Sequence, residues 1–309
     1  MRKSGSPYKM INVIVLDLSP AIIHAPFVLP QAPDVRLSAG HLACVVMKII
    51  LIASTLVWVA AAATAPGFVV RRRAAEPSLR RTGLPQLLDS DLNSLLADNN
   101  THAEYTSNWA GAVMIGTGYT TVSGTIVVPK PSMPAGGSNT RTYSASAWVG
   151  IDGSTCQTAI LQTGVDFSAR GDTVTYEGWY EWYPDYSYRF SNLKISGGDT
   201  VKMTAIVTGK NSGSVTLENK TTGQSVSHTF TNQVGNLCQT NAEWIVEDFS
   251  QGNSLVPFAD FGTVIFTDAS VNGGTGLDKA VIYDIKQGNK VYTRCSTSGS
   301  SSVTCSYIG

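Results

Sequence analysis

Two polar residues sit where strand-like runs should be apolar: Gln162 in Ala159–Phe167 (AILQTGVDF) and Glu243 in Asn241–Phe249 (NAEWIVEDF). A half-buried polar side chain in such a run needs a specific reason to be there. A carboxylate can take a proton from water and hand it on, while a neutral carboxamide can hold that water and donate to a developing oxyanion. Together they suit hydrolysis of a peptide bond. The amide carries no charge to lose, so it works equally well in acid.

The rest of the inventory leaves few other chemistries. Residues 104–309 contain one histidine, His228, inside an ordinary exposed-strand pattern, Ser225-Val-Ser-His-Thr-Phe. A Ser-His-Asp triad is therefore disfavoured, and no G-x-S-x-G elbow occurs. H-E-x-x-H, a P-loop and a dinucleotide fingerprint after a strand are also missing, as is a D-T-G or D-S-G pair. Carboxylate and amide chemistry remains.

Side chains alternate across a strand, so residues two and four apart share a face. Trp148 and Asp152 agree; Gln162 aligns with Asp166; Glu177, Trp179, Glu181 and Tyr183 align; Glu243 aligns with Glu247. Polar faces flanked by Trp, Tyr and Phe describe a groove, because ligand clefts are lined by aromatic walls with a few polar groups. An ordinary solvated outer face is the alternative for any one strand.

These strands belong to a longer series of short alternating runs broken by Gly, Ser, Asn and Pro: Gly124 to Val128, Thr173 to Tyr183, Thr200 to Val207, Ser214 to Glu218, Ser225 to Phe230, Val264 to Phe266 and Ala280 to Ile285. Their spacing, with no convincing amphipathic helix between them, predicts an all-β, antiparallel two-sheet β-sandwich over residues 104–309.

Upstream, Met47 to Ala65 reads MKIILIASTLVWVAAAATA, the layout of a secretory signal with cleavage expected after Ala63. Residues 1–46 then form an upstream extension, 47–63 the signal and 64–103 a basic propeptide carrying Arg71-Arg72-Arg73 and Arg80-Arg81, outside the core of the fold. Lys and Arg outnumber Asp and Glu by 10 to 6 in residues 1–103, and the order reverses to 12 against 16 afterwards. Neither part has the basic stripe that nucleic-acid binding needs. Cys156, Cys238, Cys295 and Cys305 fit an oxidising, extracellular destination; of the three pairings open to four cysteines, Cys156 with Cys238 and Cys295 with Cys305 are expected. A zinc site lacks C-x-x-C spacing and histidines. Asn99 and Asn219 lie in N-x-T sequons.

Ser107-Asn-Trp-Ala-Gly-Ala, Ser146-Ala-Trp-Val-Gly-Ile-Asp-Gly, AILQTGVDF, Trp179-Tyr-Glu-Trp-Tyr-Pro and NAEWIVEDF, in this order, together resemble the fungal glutamic peptidases, or eqolisins. The likeness runs from about Ser107 to Thr267 and thins beyond Asp284. It implies a secreted, pepstatin-insensitive acid endopeptidase on a concanavalin-like (lectin-like) sandwich, with Gln162 and Glu243 as the catalytic dyad. Trp148, Asp152, Asp166, Trp179 and Glu181 match positions that line or support the family's cleft. Glu247 stands beside them without an assigned role, and no disulfide pattern is carried over. The expected partners are polypeptide substrates and the chain's own propeptide as inhibitor; the protein is expected to be a monomer with no cofactor, no metal, no nucleic acid and no membrane contact once the signal is removed. A sugar-binding sandwich or glycoside hydrolase is the competing class, since aromatic platforms with two carboxylates suit sugars too. A purely adhesive surface protein is a third.

Overall fold

The structure, a computed structural model, describes residues 81–87 and 104–309, and the backbone of residues 8–11 and 27–30. The expected signal, residues 71–80 of the basic segment and Asn99 lie outside the described residues. The chain divides into two compact units, Met1–Arg72 and Arg73–Gly309. In the first, β1 (Tyr8–Ile11) pairs antiparallel with β2 (Phe27–Pro30), a pairing that no alternation in the upstream extension announces.

The second unit holds the expected sandwich. Its front sheet contains β4 (Glu104–Thr106), β5 (Trp109–Ile115), β7 (Tyr143–Ile151), β8 (Ile160–Arg170), β9 (Thr173–Tyr183), β10 (Tyr188–Arg189), β14 (Asn241–Glu247), β18 (Val281–Gln287) and β19 (Lys290–Val291). The order is β10-β9-β8-β7-β14-β5-β18-β19, antiparallel except where β4 joins β18 in parallel. The back sheet contains β6 (Thr121–Val127), β11 (Thr200–Gly209), β12 (Ser212–Asn219), β13 (Gln224–Phe230), β17 (Thr263–Val271), β20 (Thr293–Ser298) and β21 (Ser302–Tyr307), in the order β13-β12-β11-β6-β17-β21-β20. A small third sheet joins β16 (Ser254–Leu255), β15 (Ser250–Gln251) and β3 (Arg81–Thr82). The one helical element among the described residues is a 3-10 turn at Leu277–Lys279.

The two sheets differ in how they meet water. In β11 the side chains of Val201, Met203, Ala205 and Val207 are buried while Thr200, Lys202, Thr204 and Ile206 face outward. That clean alternation is what an antiparallel sheet with one wet face requires. The central front strands β7, β8 and β14 are buried along nearly their whole length. Inner residues of the front sheet, including Val149, Leu161, Phe167, Trp182 of β9 and Trp244, pack in one core with Ile126, Met203, Leu217, Val264 and Phe266 of the back sheet. The outer face of the front sheet carries a second apolar cluster, Trp109, Val113, Trp148, Ile160, Trp179, Ile245 and Tyr283, which forms the floor of a cleft.

Cys156–Cys238 and Cys295–Cys305 form the expected disulfides. Asn219, by contrast, is buried, and its amide donates to Lys194 O at 3.0 Å and to Asp199 Oδ2 at 2.8 Å. The nitrogen a glycan would need is already engaged. Strands β20 and β21 were not anticipated: TRCSTS and SVTCSY hold few apolar residues, yet they complete the back sheet beyond the point where the motif likeness fades.

The two faces of the back sheet predict unequal costs. Phe266→Ala, at the core, should lose about 3–5 kcal/mol in chemical denaturation. Ile206→Thr, on the wet face, should stay within about 0.5 kcal/mol. Similar losses at both positions would refute the assigned orientation.

Candidate active site

Strand registers place the polar residues in rows across the front sheet. Glu243 pairs with Gly150, Gly150 with Gln162, and Gln162 with Glu181. Two residues along, Ile245, Trp148, Gly164 and Trp179 form the next row; two further, Glu247, Ser146, Asp166 and Glu177 form the third. Residues in register share a face, so all these side chains point into the cleft. Two strand spacings separate the backbones of Glu243 and Gln162 by roughly 9–10 Å. The residue between them is a glycine. A Cβ at Gly150 would come within 2.9 Å of the Trp148 ring and 3.3 Å of Gln162 Cβ, so the gap exists because no side chain fills it.

Gln162 and Glu243 are both fully buried, and Gln162 Oε1 and both Glu243 oxygens have no hydrogen-bond partner. Leaving a buried polar atom unpaired costs about 1–3 kcal/mol, more for a charged group. Such atoms in one row, around an unfilled gap, mark where a water or a substrate carbonyl would be held.

Residues 81–87 lie in this cleft. Arg81 and Gln86 are buried there. The Arg81 guanidinium sits 3.8 Å over Trp179 and 4.5 Å from the Phe249 ring. Three carboxylates surround it: Asp166 at 2.8 Å, Glu181 at 3.4 Å and Glu247 at 3.9 Å. The closest of these is a charge contact, since Arg81 Nε–H is not aimed at an oxygen; Nη2 donates to Ser146 Oγ at 3.1 Å. The Gly83 N–H donates to both oxygens of Glu181 at 3.1 Å, and Gln162 Nε2 approaches the Gly83 carbonyl at 3.5 Å. A Cβ at Gly83 would lie 2.6 Å from that Nε2, so a larger residue here would have to push the Gln162 amide aside. Farther along, Trp109 Nε1 donates to Leu84 O at 3.0 Å, and Asn108 receives the Leu87 N–H at 2.9 Å.

The expected site residues thus divide by task. Gln162, Glu243, Asp166, Trp179 and Glu181 meet in the cleft. Trp148 forms its floor, edge-on to Trp109 at 4.9 Å, and its indole donates to Glu247 at 3.0 Å, giving Glu247 a definite partner. Asp152, expected to line or support the cleft, stands on the supporting side. Its carboxylate accepts the backbone N–H groups of Cys238, Gln239, Thr240 and Asn241 at 2.7–3.1 Å, which anchors the loop entering β14 two residues before Glu243. Missed altogether were Ser146, Asn108 and Trp109 as contacts; the last two stand in the SNWAGA motif without a role that spacing could give them. Residues 81–87, expected to be outside the core of the fold, are outside the two main sheets but fill the cleft. His228 stacks on Tyr180 with ring centroids 4.1 Å apart, away from this constellation, as expected of a structural histidine.

Residues 107–307 match the Peptidase A4 family. Aspergillopepsin-2 of Aspergillus niger is 50% identical over 256 residues, spanning 77% of this chain and 90% of its own. Scytalidopepsin B of Scytalidium lignicola is 48% identical over 221 residues, 68% of this chain and 81% of its own. Among solved structures, scytalido-glutamic peptidase with a transition state analog inhibitor matches at a TM-score of 0.59 and 49% identity, covering 65% of this chain and 98% of that one. Aspergilloglutamic peptidase from Aspergillus niger matches at 0.52 and 58% identity, covering 54% and 99%.

Burial dominates the electrostatics of the site. It pushes Glu243 well above the ordinary carboxylate range, helped by the charge of Asp152. It does the same to Glu181, against the pull of Arg81, and it raises Asp166, also against Arg81. Glu247 rises to about 8 despite Arg81 and the Trp148 indole, and Asp248 and Asp284 rise to about 7 by burial. In each case the folded state holds its proton at a pH where the unfolded chain, titrating near 4, has lost it. The folded state therefore binds more protons, and stability falls as pH rises. The urea midpoint of the full chain should be highest near pH 4 and decline through pH 7–8, with Glu247→Gln softening the decline. A midpoint that climbs over that interval would overturn the assignment.

Proposed function

The chain belongs to the peptidase A4 family and is a glutamic peptidase, and on that premise we propose that it is an exported acid endopeptidase in which Glu243 and Gln162 act as a pair. What carries the reading is the set of unpartnered oxygens on these two buried side chains, in one strand row, with a backbone carbonyl already beside the Gln162 amide. In the uncovered cleft Glu243 is ionised and takes a proton from water as the oxygen adds to the scissile carbonyl. Gln162 Nε2 donates to the resulting oxyanion. Glu243 then returns the proton to the amide nitrogen as the C–N bond breaks, and the carboxylate is restored. No cofactor enters. Two carboxylates flanking a sugar bond, the requirement of most glycoside hydrolases, are not the pair offered, since the partner of Glu243 is an amide. Export rests on the Met47–Ala65 segment; no helix among the described residues is long and apolar enough to cross a membrane.

The segment from residue 64 to 103 is read as an inhibitor of the same cleft. Arg81–Leu87 fills it, and covering Glu243 keeps that group protonated, so the covered protein has no base. The attraction between Arg81 and its cage exists only for ionised carboxylates. Burial opposes that ionisation, raising Glu247 to about 8, so the attraction is strongest on the alkaline side of that value and fades as Glu247, Glu181 and Asp166 take up protons.

Two experiments test this reading. Gln162→Ala should slow hydrolysis of a denatured protein at pH about 3–4 by roughly 10²–10³, and Glu243→Gln should abolish it, with circular dichroism unchanged; near-full activity in either folded variant sinks the dyad. Calorimetric titration of a peptide spanning residues 64–103 into the acid-processed protein should show binding to which Arg81 contributes only where its cage is ionised: Arg81→Ala should weaken binding at about pH 8.5 and leave it nearly unchanged at about pH 4. Equal binding by the substituted peptide at the higher pH would remove Arg81 from the account.

A further inference from the structure

Beyond the dyad, the cleft ends in a small polar pocket that holds the Gln86 side chain. The backbone brings it there firmly: the Gln86 N–H donates to Gly153 O at 3.1 Å, and Gln157 Nε2 donates to Gln86 O at 3.0 Å. Inside the pocket, Ser154 Oγ donates to Gln86 Oε1 at 3.0 Å, and Ser154 Oγ lies 2.9 Å from the Tyr283 hydroxyl. With the Ser154 hydrogen given to Gln86, the Tyr283 hydroxyl must be the donor of the second contact. The result is a relay of two hydrogen bonds, from Tyr283 to Ser154 and from Ser154 to the Gln86 carboxamide oxygen. Gln86, Ser154 and Tyr283 are all buried, at 5%, 6% and 2% exposure.

We infer that Ser154 and Tyr283 form a subsite selective for a carboxamide side chain on the third residue after the scissile bond. This deepens the proposed function, because it rests on residues 81–87 lying in the cleft as a substrate does. With the Gly83 carbonyl at Gln162, the bond addressed is Gly83–Leu84, and Gln86 is the third residue beyond it. The pocket selects by the hydrogen it presents and by its burial. A carboxamide brings a neutral acceptor for the Ser154 hydrogen, whereas alanine leaves that hydrogen unpaired. A lysine ammonium has no acceptor to offer, and an ionised carboxylate would carry its charge out of water into a buried site. A site built around a hydrogen-bonding side chain discriminates strongly against analogues that leave its polar groups unpaired.

The test has two arms. Acid-processed protein is given peptides identical except for Gln, Ala, Lys or ionised Glu (pH 5.5) at that position. Gln should lead in kcat/KM by about tenfold or more, and Ser154→Ala or Tyr283→Phe should bring the Gln-to-Ala ratio towards one. Tyr283→Phe keeps the ring that packs beside Trp109 and Trp148, so the cleft floor stays built. The second arm uses the full chain carrying Glu243→Gln, which needs no catalysis: Gln86→Ala should speed hydrogen exchange at the Gly83 and Gln86 amides by about tenfold. A preference for Lys, or no preference together with unchanged exchange, overturns the subsite. Accelerated exchange in a chain that hydrolyses no peptide would instead uphold the pocket and strike down the proposed activity.

Discussion

Register across three strands is the constraint on which the site depends. Glu243, Gly150 and Gln162 stand opposite one another because β14, β7 and β8 pair without a slip over their length. A shift of one residue in β14 would turn Glu243 into the sandwich core and bring Trp244 into the cleft, since the side-chain period is two. Register is held from both sides. Trp244 must reach Ser123 O across the core, a 2.8 Å hydrogen bond, while the cleft-side Trp148 indole must meet Glu247. At the loop end Asp152 clamps four successive amides, and the Cys156–Cys238 disulfide ties the same corner. Apolar packing on one face and polar fastening on the other thus specify one alignment.

Two wholly buried carboxylates show how differently a sandwich can treat the same group. Asp152 is surrounded by backbone donors and serves the loop. Glu243, two residues past the last of those donors, has none. The contrast separates support from chemistry more sharply than burial does, because both residues are equally hidden. Between these extremes lie Asp166, Glu181 and Glu247, which share one guanidinium supplied by a segment outside the two main sheets, with the Gly83 N–H also at Glu181 and the Trp148 indole at Glu247.

Much of this was legible in the amino-acid sequence. Period-two alternation correctly put Gln162 with Asp166, Trp179 with Glu181 and Glu243 with Glu247, and turn residues correctly divided most of the strands. Alternation says nothing about which strand lies beside which, so the insertion of β14 between β5 and β7 was invisible. Nor does it say whether a polar side chain is engaged: Asp152 and Glu243 look alike until their neighbours are known. Strands β20 and β21 escaped because Ser and Thr cover positions that carry little apolar signal, and their pairing is set by β17. Arg81 stood out only as one arginine in a basic segment; that it, among the others, meets three carboxylates depends on how the chain threads the cleft.

The placement of β14 also governs when the protein can become dangerous to its surroundings. The hairpins carrying Gln162 and Glu181 are local in sequence, whereas Glu243 arrives some way downstream and is inserted in the middle of the sheet, with β18 and β19 still to follow on its far side. Ribosomes deliver the amide long before the acid, and the pairing that unites them spans a large stretch of chain, the slow kind of contact to form. By then residues 81–87 have long since been made. On the roles proposed for Glu243 and residues 81–87, an emerging chain passes from having no base directly to having one that is already covered.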